Sequence, residues 1–134
     1  MRKLETSKVT ERIVGFSLPD DGKMFVCDHD EVYELDLSAN VAKVTKLDPY
    51  EFMKNFRMLG ITDEQPIKET KGNTISYDFR PTLNHVIVNL KIFDRSTTIN
   101  FPIFSGDWFV GSFSRCGSYL VLAEPYEIAV YELK

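Results

Sequence analysis

Side chains that carry metal, redox and acid–base chemistry are scarce in this sequence. Among 134 residues there are two histidines, His29 and His85, and two cysteines, Cys27 and Cys116. A histidine-centred triad has few ways to be assembled from so small a stock, and no Cys or His spacing matches a zinc site. No glycine-rich phosphate loop is present. Ser114-Arg-Cys-Gly117 places a possible nucleophile in a turn, but a strand pattern follows it instead of the helix that a nucleophile elbow needs. No cofactor, metal site or catalytic residue is therefore expected, and the balance leans away from an enzyme. Long apolar runs are missing as well. Nothing approaches the ~18–20 residues of a membrane span. The opening Met-Arg-Lys-Leu-Glu-Thr-Ser-Lys is basic but has no apolar stretch after it, so no secretory signal is expected. Positive charge is in deficit too, with 16 basic against 20 acidic residues and a net charge of −4. That argues against nucleic acid as a partner, because phosphate binding needs a concentrated positive field. Two thiols in such a chain are expected to be free and reduced, which places it in the cytoplasm. Cys27 sits in a strand pattern and Cys116 in a turn, so Cys116 is the better candidate for a reactive thiol.

What is present is turn chemistry and alternation. The length and a 43% apolar composition fit one domain over 1–134. Ile13, Val14 and Phe16 mark a first strand over 9–16. Leu18-Pro-Asp-Asp-Gly22 is a turn, with proline fixing φ and glycine supplying φ > 0. Met24 to Cys27 is a short apolar strand, Asp28 to Glu31 a turn, and Val32 to Leu37 a half-buried strand with Glu34 and Asp36 on its polar face. Val41 to Leu47 is a further strand. Asp48-Pro-Tyr-Glu51 then starts a helix: aspartate as N-cap, proline at the first helical position and glutamate in the first turn. Phe52, Met53, Phe56 and Leu59 recur at helical spacing, and Gly60 is the expected stop. Residues 61–73 are the most polar stretch and read as a loop, so helix and loop together occupy 48–73. Strands follow over 74–80, 85–93, 98–104, 108–114, 119–123 and 128–133. Turns are expected at 94–97 and 124–127, and Pro102 marks an edge or bulge. The fold class is mainly β: about ten short antiparallel strands in a meander, as a twisted sheet, sandwich or open barrel, with one helix near 48–60.

The meander repeats itself. Phe-Ser occurs at 16 and 113, and Val-Tyr-Glu-Leu at 32 and 130. Between them lie Gly22 or Gly117 and a short apolar strand. Asp78-Phe-Arg-Pro81 followed by Leu90-Lys-Ile-Phe-Asp94 forms a third copy. The copies span about 13–37, 75–94 and 110–134. Phe-Ser, a glycine turn, an apolar strand and Val-x-Glu-Leu resemble the blade hairpins of WD-repeat-like β-propellers. The Trp-Asp and Gly-His signatures of those blades are absent, and the chain falls short of the four blades of about 40 residues that close a propeller. The resemblance implies blade-like hairpins in a smaller object and, by analogy of fold, a protein-binding role.

Candidate binding residues are the acidic turns and two aromatics. Asp20, Asp21, Asp28, His29, Asp30 and Glu31 would form an acidic rim if the sheet twist brought their turns together. Asp28 to Glu31 is the densest group of metal-capable side chains, but neighbours in a strand point to opposite faces and rarely converge on one ion. Trp108, with Phe104 and Phe109, is a candidate for core or for an aromatic pocket. Tyr126, in the Glu-Pro-Tyr-Glu turn, is expected to be exposed. The leading expectation is a non-catalytic protein-interaction domain that neutralises or scaffolds a basic partner protein. A small-molecule binder or hydrolase near Trp108, using His29, His85 or Cys116, is one alternative. A structural subunit of a homo-oligomeric β-assembly is the other.

Overall fold

The computed structural model describes residues 1–5, 12–62 and 64–133. Three antiparallel sheets account for its thirteen strands, with one short helix beside them and no closed barrel. The first sheet contains β2 (Gly15–Phe16), β3 (Lys23–Cys27), β4 (Val32–Asp36), β5 (Val41–Val44) and β6 (Leu59–Gly60), in the order β5-β4-β3-β2-β6. The second contains β7 (Glu69–Thr70), β8 (Asn73–Tyr77), β9 (His85–Ile92) and β10 (Arg95–Pro102), ordered β10-β9-β8-β7. The third is built from β11 (Val110–Phe113), β12 (Tyr119–Glu124) and β13 (Glu127–Glu132), and β1 (Arg2–Leu4) completes it in the order β1-β13-β12-β11. The part of the expected first strand that precedes Arg12 lies outside the described residues. No helix among the described residues is long and apolar enough to cross a membrane.

The third sheet is the middle layer. Leu120 and Leu122 on β12 pack with Val86, Val88 and Leu90 of the second sheet. Their neighbours Val121 and Ala123 pack with Phe16, Met24 and Val26 of the first. A strand buried on both faces loses the apolar–polar alternation, which is why Leu120 to Ala123 is a continuous apolar run. The outer sheets share no core cluster with each other and pack on opposite sides of the middle one. The arrangement is therefore a layered one, with no propeller closure among the described residues. In the outer strand β9 the alternation is complete: Val86, Val88, Leu90 and Ile92 are buried, and Ile87, Asn89 and Lys91 are exposed.

The sequence repeat has a structural cause. Ser17 N–H donates to the Phe25 carbonyl at 2.8 Å, and its hydroxyl accepts the Phe25 N–H at 2.8 Å. Ser114 closes its hairpin in the same way on Tyr119, at 2.9 and 3.1 Å. Both preceding phenylalanines are fully buried. Val-Tyr-Glu-Leu has one burial pattern in both copies, with valine and leucine buried and tyrosine and glutamate half-buried. Glu34 faces Lys43 of β5 at 3.2 Å, and Glu132 faces Arg2 of β1 at 2.8 Å. Thus β1 holds in the third sheet the place that β5 holds in the first. Replacing Ser17 or Ser114 by alanine is expected to lower unfolding free energy by a similar amount, about 1 kcal/mol each, in urea titrations. A loss at one serine alone would show that the two hairpins are not equivalent.

The third copy is only partly in phase. The Ile103 N–H bond to the Asn84 carbonyl, at 2.9 Å, matches Leu37 to Gly22 and Leu133 to Ser118. This aligns β8-β9-β10 with β2-β3-β4 and β11-β12-β13. Leu90 to Asp94 therefore lies in β9 and its turn, one strand earlier than its expected counterpart in Val-Tyr-Glu-Leu.

Four local expectations are corrected. The helix, α1, covers Pro49–Asn55 and ends at Phe56, not at Gly60. Met58 and Leu59 are buried in the first sheet instead, and Gly60 pairs with Gly15. Gly60 has φ 128°, and a Cβ there would meet the Val14 carbonyl at 2.8 Å, so sheet pairing rather than helix termination explains this glycine. The polar stretch 61–73 contains β7, and its Ile67 packs into the core beneath Ser112, whose Oγ accepts the Ile67 N–H at 2.9 Å. The 94–97 turn is a two-residue loop at Phe93–Asp94, both with positive φ, so Arg95 to Thr97 belong to β10. The fifth strand stops at Val44, where Thr45 turns its hydroxyl onto the Val32 carbonyl at 2.8 Å.

Candidate functional site

The acidic residues do not gather into one rim. Asp20 and Asp21 lie in the turn before β3, and Asp28 to Glu31 in the turn after it. A five-residue strand holds the two turns about 17 Å apart. Asp28 is buried, and its carboxylate accepts the backbone N–H groups of Asp30 at 2.8 Å and Glu31 at 2.7 Å. It shapes its own turn and is turned away from solvent. Asp30 is exposed and Glu31 half-buried. His29 Nδ1 lies 3.2 Å from the Tyr50 hydroxyl. Asp21, with φ 53°, and Gly22 form the tight two-residue turn, while Asp20 faces Lys23 across it. Among the described residues no group of three or more His, Cys, Asp or Glu converges.

Nor do the candidate working groups of a hydrolase meet. His29 sits on the first sheet and His85 on the second, where its Nδ1 contacts the Asn84 amide oxygen at 3.1 Å. Cys116 is on the middle sheet, 3.5 Å from the Ser114 hydroxyl. Hydrogen bonds from Ser114 and Ser118 hold its thiol below the ordinary range, whereas burial pushes the Cys27 thiol up to about 12. Trp108 is 7% exposed, belongs to the core joining the first and third sheets, and stacks on Phe16 with centroids 6.4 Å apart. Tyr126 is exposed, as expected of its turn, and the Arg12 guanidinium donates to its hydroxyl at 2.8 Å while also pairing with Asp107.

The feature that does bring separated segments together is a cleft of about 650 Å³. Its floor is aromatic. Phe52 of α1 stacks on Phe56 at 4.4 Å and leans on Phe25 of β3 at 5.0 Å. Leu18, Pro19 and Leu59 extend the apolar surface. The N-cap places Phe52 here: the Asp48 carboxylate accepts the Tyr50 and Glu51 N–H groups at 2.9 and 3.1 Å, and that fixes where α1 begins. Extended backbone at Phe56 then turns its ring out, leaving it 57% exposed over the cleft.

The rim is cationic. Lys23, Arg57 and Arg115 line it against a single carboxylate, Asp20. Lys23 reaches Glu34 at 4.0 Å and Arg57 reaches Glu64 at 3.6 Å, both loose contacts between exposed cations and partly shielded carboxylates. Arg115 is exposed and has no ion-pair partner among the described residues. Cys116 adds a thiol beside it. Of the residues singled out from sequence as binding candidates, only Asp20 lines this cleft. Phe25, Phe52, Phe56, Arg57 and Arg115 were not among them. The one signal that pointed here was the aromatic spacing of the helix, which on its own reads as core. Compared with known proteins, the chain matches no family model, no curated protein and no solved structure.

Proposed function

We propose that the chain is a non-catalytic protein-interaction domain, and that the cleft between α1 and the turns at 17–23 and 115–116 is where its partner docks. The observation that carries this reading is an aromatic floor, with the Phe56 ring exposed above buried Phe52, beside a cationic rim. Interfaces concentrate their energy in aromatic and arginine side chains that sit together in one desolvated pocket. The partner chemistry follows from the lining: an aromatic or aliphatic side chain to fill the space over Phe52 and Phe56, flanked by carboxylates that meet Arg57 and Arg115. The dispersed acidic turns favour this surface over one that neutralises a basic partner, since the Asp28 carboxylate is already committed to its own loop. The blade-like hairpins agree with a binding role only by analogy of fold.

The test is a tagged pull-down read by mass spectrometry, with two variants beside the wild type. Phe56→Asp with Arg115→Glu is expected to weaken capture of one stoichiometric partner about 30-fold or more, the scale of a hot-spot loss. Both positions are exposed, so the fold should be retained and circular dichroism unchanged. Changing Asp30 and Glu31 together to alanine, which spares the turn-forming Asp28, is expected to leave capture intact. The opposite result, with the acidic double variant losing the partner and the cleft variant keeping it, would move the site to the turn after β3.

A further inference from the structure

We infer that β10 is a pairing edge for a second copy of this chain, joined antiparallel about Thr98. The repeat supplies the first argument. In the first sheet β5 pairs with β4, and in the third β1 pairs with β13. The strand equivalent to β4 and β13 in the second sheet is β10, and nothing among the described residues pairs with its far side. The second argument is edge protection. Exposed edges are normally short or carry lysine or arginine, which discourages pairing with another chain. β5 has four residues including Lys43, and β1 has three including Arg2 and Lys3. β10 has eight residues, with Arg95 at one end, Pro102 at the other and only uncharged side chains between.

The third argument is self-complementarity. Arg95 closes the two-residue loop on Ile92, and Ile103 N–H bonds the Asn84 carbonyl. Antiparallel pairs alternate between bonded and non-bonded positions, so the odd-numbered residues bond β9, and Ser96, Thr98 and Asn100 direct their N–H and C=O groups outward. The next outward position is Pro102, which has no N–H to leave free. A two-fold axis at Thr98 sets Thr98 against its own copy and Ser96 against Asn100, forming about six backbone hydrogen bonds. Arg95 then lies opposite Phe101 of the second copy, so no like charges meet. Thr97 and Ile99, on the core-facing side, become cross-strand neighbours of each other.

Size-exclusion chromatography with light scattering, on the full chain in reducing buffer, tests this. At about 100 μM, a concentration suited to a small interface, the expected species has twice the mass of the chain. Thr98→Pro removes an outward N–H that β10 does not use internally and should give a monomer. Thr98→Lys puts like charges directly opposite and should raise the dissociation constant about fivefold, while Thr98→Val should leave it unchanged. Circular dichroism of Thr98→Pro and Thr98→Lys checks that a monomer reflects the lost edge pairing and not a lost fold. A wild-type monomer at that concentration overturns the inference, whether or not a different protein uses the edge. So does a dimer that neither Thr98→Pro nor Thr98→Lys weakens.

Discussion

Replacing Glu124 by alanine is expected to lower the unfolding free energy by about 3–5 kcal/mol and the melting temperature by roughly 10–20 °C. Glu124 is completely buried at the end of β12. Its carboxylate accepts the Phe104 N–H at 2.8 Å, the Ser105 N–H at 3.1 Å and the Tyr126 N–H, and it has no ion-pair partner among the described residues. It thereby fastens the crossing from the second sheet to the third, and the last hairpin, with one side chain. Alanine would leave three N–H groups without their acceptor and a void where the buried carboxylate sat, and each group that water does not reach costs about 1–3 kcal/mol. Glutamine keeps one acceptor oxygen for Phe104 and Ser105 but turns an N–H₂ toward Tyr126, so Glu124→Gln should lose about half as much. Thermal and urea unfolding of both variants measure this. Wild-type stability for the alanine variant would mean that water replaces the carboxylate at no cost.

Glu124 also shows where sequence reasoning stops. In sequence it is the first residue of a Glu-Pro-Tyr-Glu turn, where a glutamate is ordinarily solvated. Two of its three partners lie about twenty positions earlier in a loop that no local pattern ties to it. By contrast, the features set by nearest neighbours were legible. The alternation of β9, the glycine turn before β3, the N-cap of α1 and the Pro102 edge all follow from periodicity or fixed backbone preferences. The end of α1 was not. Leu59 falls at helical spacing from Phe52 and Phe56, but pairing of Leu59–Gly60 with Gly15–Phe16 buries Met58 and Leu59 better than another helical turn would. A tertiary contact overrides the local period at that point.

The same distinction governs the cleft. Its lining comes from residues 17–25, 52–59 and 115–116, three segments that only the stacking of the first sheet on the third brings together. Each segment alone has an ordinary structural reading: a hairpin, a lid helix and a turn. The acidic pairs attracted notice because carboxylates next to each other stand out in a sequence. Yet adjacency within a turn served backbone capping, as Asp28 shows, rather than a shared surface.

Phe52→Ala is expected to detach α1 while leaving the sheets folded. Seven residues are too few to hold a helix in water without tertiary support. Within α1 only Pro49 and Phe52 are buried, and Phe52, supported by half-buried Met53, joins the Val14, Cys27, Val32 and Met58 cluster that ties the helix to the first sheet. Truncating a buried phenylalanine costs about 3–5 kcal/mol, more than a helix of this length can supply from its cap and hydrogen bonds. The global loss is capped near the docking energy of α1, because the core clusters joining the middle sheet to its two neighbours do not include Phe52. Amide exchange separates the two levels. The Phe52 and Phe56 N–H groups, which bond the carbonyls of Asp48 at 2.9 Å and Phe52 at 3.1 Å, should exchange at nearly unprotected rates in the variant. The Leu122 and Val130 amides of the middle sheet should stay protected. The cleft would lose its floor at the same time, so partner capture should fall with the helix even though the domain still melts cooperatively. Retained protection at Phe56 together with retained capture would show that α1 is held by something other than its aromatic stack.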